Sequence, residues 1–141
     1  AITDQILIKA RRIRSLQIKG FSAVGEGIMP EFKAIVNYGI IAVIQVRQGF
    51  ADNKDIDNAR ALELYDGIAA EALELMTAKN HEAWRAMRVE SFVDIILTKL
   101  ERIKEIEDHC GRTSVSEGVE GNYFDIVNYA VFGIIKLNDE E

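Results

Sequence analysis

Asp125 is the only charged residue between Gly121 and Lys136, in the run GNYFDIVNYAVFGIIK. A carboxylate in an apolar helix is costly unless a cation or metal meets it, and perturbed buried acids tend to mark functional sites. The structural alternative is a capping box, with Asn122 as N-cap and Asp125 at N3 beside the positive helix end. Further acids recur at helical spacing: Asp94, Glu101, Glu105 and Asp108 share one face with Thr98. A hard divalent cation needs several converging oxygens. Asp125 with Glu101 and Glu105 is therefore one candidate metal set, and Glu71 with Glu74 supplies alternative ligands. An acidic stripe is equally the signature of a solvated helix face.

Other chemistries find little support. His81 and His109 lack partners at useful spacing, and Cys110 has no positioned base, so nucleophilic catalysis has nothing behind it. GEG at 25–27 is too short to cradle a phosphate. Trp84 with Arg85 and Arg88 suits base stacking and phosphate contact, although a lone tryptophan more often belongs to a core. The basic run KARRIRSLQIK, with Lys9, Arg11, Arg12, Arg14 and Lys19, could face phosphates or complement the acidic helix.

The elements that must position these groups are helices. Val93, Ile96, Leu97, Leu100 and Ile103 recur at three- and four-residue spacing. A second segment, about 121–137, is apolar nearly all round and should sit centrally. The chain repeats itself: TDQILIKARRIRSL (3–16) aligns with VDIILTKLERIKEI (93–106), and 20–46 with 111–137, giving 15 identities in 41 positions. IVNY recurs at 35–38 and 126–129, with Ala34 where the second copy has Asp125. Groups kept in both copies, such as Lys9/Lys99, Arg12/Arg102 and Asn37/Asn128, read as structural, and both asparagines should be buried and hydrogen-bonded. Ser91-x-x-Asp94 also has the capping-box pattern. The expected architecture is an all-α single domain, 1–141. Its duplicated hairpins, 3–46 (degenerate) and 93–137 (intact), form a four-helix core, with the connecting helix in the 47–92 linker packed outside.

At 141 residues, 48% hydrophobic and 28% charged, the composition is that of one ordinary globular domain. A net charge of -6 argues against a nucleic-acid polymer as partner. The apolar runs Ile35–Val46 and Ile126–Ile135 are short for a membrane span, and no secretory signal is visible. No membrane contact and a cytoplasmic location are expected.

The runs KNHEAWRAMRVESFVDIILTKLERIKEIED and SEGVEGNYFDIVNYAVFGIIKL resemble nucleotide modification associated domain 1, over roughly Lys79 to Leu137. More remotely, acidic helices around an Asp-bearing apolar helix resemble the MazG-like all-α nucleoside triphosphate pyrophosphohydrolases. Those enzymes hold Mg²⁺ with Glu-x-x-Glu and Glu-x-x-Asp pairs. Asp125 fits the last position, while Asn122 departs from it. The resemblance implies a Mg²⁺-dependent hydrolase releasing pyrophosphate from a small nucleotide, with Lys99, Arg102, Trp84, Arg88 and Asn128 as substrate contacts. The competing implication is a non-catalytic helical module that binds a nucleotide or partner. A homo-oligomer is compatible with either.

Overall fold

The computed structural model describes residues 2–20, 24–48, 57–78, 82–109 and 112–139. The loop expected at 49–58 falls largely outside them, as do His81 and Cys110. Of residues 21–26 and 111–117 the side chains are likewise not described, Glu26 and Glu117 among them.

Every regular element among the described residues is helical: α1 (Ile2–Lys19), α2 (Val24–Gln48), α3 (Asn58–Ala78), a 3-10 turn (Glu82–Ala86), α4 (Val89–His109) and α5 (Arg112–Asp139). In α1 the fully buried Ile6, Ala10 and Ile13 mark one face. The helix stops at Gly20, whose φ of 66° suits a residue without Cβ. Helix α3 starts on an N-cap, the Asp57 carboxylate accepting from the Arg60 N–H at 2.8 Å.

Helices α2 and α5 form the central pair. Helix α1 packs on α2 and α4, and α4 packs on α5, which closes a four-helix ring; α3 lies across α2 and α5. This is the expected four-helix core with an outer connecting helix. Two glycines let the central pair approach. A Cβ at Gly39 would stand 2.6 Å from Val127 Cγ2, and one at Gly133 about 3 Å from the Phe32 ring.

Two local expectations change. Helix α5 begins at Arg112 rather than near 121, so Asn122 lies inside it and its Nδ2 donates to the Gly118 carbonyl at 2.6 Å. No capping box forms there, because the helix runs through Gly118 and Gly121 instead of stopping at them. Ser91 is likewise the third residue of α4, not its cap.

The interface of α1 with α4 is held at both ends by ion pairs. Arg14 pairs with Asp94, and Lys104 pairs with Asp4 at 3.7 Å. The sequence alignment equates Arg14 with Lys104 and Asp4 with Asp94. The two bridges are thus the same contact made in opposite directions, as a pseudo-twofold between aligned helices would produce. Gly27–Gln48, within α2, has the length and mean hydropathy (1.4) of a membrane span. Of that window 44% is buried inside the bundle, where α2 packs on α1 and α5.

Candidate functional site

A cleft of about 570 Å³ opens where the C-terminal end of α2 meets α3 and α5. Arg47, the only charged residue between Ala34 and Gln48, reaches into it from α2. Its guanidinium bridges two carboxylates on two other helices. Nη1 and Nη2 donate to Glu71 at 2.5 and 2.8 Å, Nε donates to Glu120 at 3.1 Å, and Nη2 is also shared with Glu120. The forked, charge-assisted geometry fixes the arginine in place, and the Phe124 ring lies beneath it, 5.7 Å from centroid to Cζ. Glu74, one turn beyond Glu71 on α3, lines the same cleft and is exposed. Hydrogen bonds from Arg47 hold the Glu71 carboxyl below its ordinary pKa, and the two glutamates push that of Arg47 further up.

The structure does not bring Asp125, Glu101 and Glu105 together. Asp125 on α5 is half-buried and ion-paired with Lys99 Nζ at 3.1 Å. Glu101 lines a different cleft, between α1 and α4, and Glu105 is exposed. Of the alternative ligands, Glu71 and Glu74 do share a cleft, but with Glu120 rather than Asp125. Among the described residues no three His, Cys, Asp or Glu side chains are grouped so as to hold a metal ion on their own.

The pairing of Asp125 also bears on its absence at Ala34. Lys9, aligned with Lys99, meets Glu31 of α2 at 3.5 Å, and Arg12 meets the same glutamate at 3.4 Å. Glu31 aligns with Asn122, one turn from the Ala34/Asp125 position. Each hairpin therefore keeps one carboxylate for its aligned lysine, displaced by a helical turn between the two.

The expected substrate contacts scatter. Trp84 is 9% exposed and stacks on Phe132 at 4.7 Å with an interplanar angle of 7°, and Arg85 covers its ring at 4.6 Å. Its faces are thus spent inside a small cluster with Phe92, so stacking on a base would require dismantling it. Arg88 and Arg102 are exposed, Lys99 is committed to Asp125, and Asn128 is buried. Asn37, expected to be buried like Asn128, is exposed and accepts a hydrogen bond from the Tyr65 hydroxyl of α3. It serves the α2–α3 contact because α3 covers that flank of α2. Sequence reasoning missed Arg47 and Glu120. The isolation of Arg47 in an apolar run was the same signal that singled out Asp125.

The fold and the cleft define an all-α helical-bundle domain with a carboxylate-lined groove. The family model for nucleotide modification associated domain 1 matches residues 1–46 and 79–137. The chain belongs to that family. No curated protein and no solved structure matches it significantly.

Proposed function

We propose that the chain is a Mg²⁺-dependent nucleoside triphosphate pyrophosphohydrolase of MazG-like type, acting at the cleft between α2, α3 and α5. The observation that carries this reading is the convergence of Glu71 and Glu120, from separate helices, on one nitrogen of Arg47. Two hard oxygen donors around a cation suit Mg²⁺, which is commonly held by one or two carboxylates with substrate phosphates completing its shell. The guanidinium holds that place in the free protein, so the residues fit the ion provided Arg47 gives way. Glu71 and Glu120 would hold it, and bound there it would neutralise phosphate charge and acidify water.

The chain's own groups then divide the work. Arg47, released from its carboxylates, is within the cleft to contact the phosphates. Glu74, exposed and without an ion-pair partner among the described residues, would accept the proton of the attacking water. That water adds at the α-phosphorus, the bond from the α-phosphorus to the bridging oxygen breaks, and pyrophosphate leaves with the electron pair. The products are pyrophosphate and a nucleoside monophosphate. Placement among nucleotide-metabolism or nucleotide-modification enzymes and a cytoplasmic location belong to the same reading, as does a small nucleotide, rather than a polymer, as the partner.

A second reading, a non-catalytic nucleotide- or partner-binding module, draws support from how fully Arg47 satisfies both carboxylates. A pyrophosphate-release screen over the (deoxy)nucleoside triphosphates, with Mg²⁺ and with EDTA, separates the two. Metal-dependent release from at least one triphosphate is expected, falling by ~100-fold or more in Glu120→Gln and persisting in Asp125→Ala. No release from any triphosphate at saturating Mg²⁺ overturns the hydrolase and leaves the binding module.

A further inference from the structure

The outer face of α1 and α4, opposite α3, has a charge pattern that the proposed reaction does not use. On α1, Ile8, Arg11, Ser15 and Ile18 share one face and are all exposed, Ile8 by 56% and Ile18 by 77%. The aligned positions on α4 are Thr98, Glu101 and Glu105, with Asp108 further along the same face, all exposed. A largely apolar strip carrying Arg11 therefore lies beside an acidic one, with the helices antiparallel, since residue 14 meets 94 and residue 104 meets 4. Between the strips is a cleft of about 400 Å³ with Leu7, Leu97 and Leu100 in its lining. Arg14 and Lys104 at its rim are occupied by Asp94 and Asp4. Arg11 and Glu101 line the same cleft, and among the described residues neither has an ion-pair partner.

We propose that this face is a self-association surface whose occupant is a second copy of the chain, docked with α1 over the partner's α4. Charge complementarity selects that arrangement. A twofold axis parallel to the helices puts each Arg11 strip on an acidic one, so Arg11 reaches the partner's Glu101 and Glu101 the partner's Arg11, within one helical turn. The alternative axis, across the helices, would lay Arg11 against Arg11 and acid against acid, which repels. Because each contact occurs twice in an isologous pair, one charge reversal is felt at two places. The exposed Ile8 and Ile18 and the leucine-lined cleft add apolar surface that is covered on docking.

Sedimentation of the whole chain from ~5 to ~500 µM tests this against the span of weak protein association. Wild type should show a monomer–dimer equilibrium that weakens as NaCl rises to ~0.5 M. Arg11→Glu and Glu101→Arg should each weaken dimerisation by ~10-fold or more, and the double reversal should restore it to within ~3-fold of wild type. Both positions are exposed, so at a concentration where wild type is monomeric the variants should melt at the wild-type temperature, which is the control for folding. A monomer throughout the concentration range overturns the proposal. So does a dimer indifferent to the single reversals, or single reversals that the double fails to rescue.

Discussion

Asn128 is 5% exposed, and among the described residues no donor reaches its Oδ1. Its recurrence in IVNY marked it as a structural amide held by hydrogen bonds. The burial is as expected, whereas the oxygen is left unbonded. An orphaned buried polar atom costs ~1–3 kcal/mol, and replacing it with an apolar group of similar size removes that cost. Asn128→Leu should therefore raise stability by ~1 kcal/mol, read as a higher urea midpoint with an unchanged slope. A fall in the midpoint would show that the amide makes a contact worth more than its desolvation. Single residues were only partly legible in the sequence for a reason this example shares with Asp125. Isolation in an apolar run flags a costly group, but its partner sits on another helix. Periodicity along one helix carries no information about Lys99 meeting Asp125, or Arg47 meeting Glu71 and Glu120.

At the scale of elements, the helix and buried face of α4 followed from spacing, and α1 followed from its alignment with α4. The start of α5 did not, since Gly118 and Gly121 look like stops. Gly118 has a packing role: a Cβ there would approach Ile106 Cδ1 at 3.0 Å. The α2–α5 crossing depends on glycine more strictly. At Gly39 the obstacle is a branched valine, Val127, 2% exposed, and at Gly133 it is Phe32, fully buried. Neither side chain has room to move, and overpacking of this kind costs ~1–3 kcal/mol. Alanine's better helix propensity returns at most ~1 kcal/mol. Gly39→Ala should thus lower thermal stability, while Gly67→Ala, where a Cβ would meet nothing within 4 Å, should hold or raise it. Equal shifts in the two melting curves would mean that α2 and α5 separate more easily than their packing implies.

For the whole molecule, 23 acidic and 17 basic side chains give the net charge of -6. Arg47 joins three helices through two of those acids. The Glu71 carboxyl is held below its ordinary value, so its contribution to stability is present above the unfolded glutamate pKa of ~4.3 and fades as pH falls through the lower folded value. Urea midpoints at pH 7 and pH 3 should differ more in wild type than in Arg47→Met, because the variant has already lost that link. An equal drop in both would assign acid sensitivity to other carboxylates.

The one-turn displacement between Glu31 and Asp125 has a historical consequence. A lysine facing a helix can be answered from either of two levels of that helix. A chain carrying acids at both levels would already satisfy it twice over. From such an ancestor either acid could drift away without stranding the lysine, and the two halves could settle on opposite choices with no selection for a difference in task. A difference between aligned segments of this kind can record neutrality as readily as specialisation.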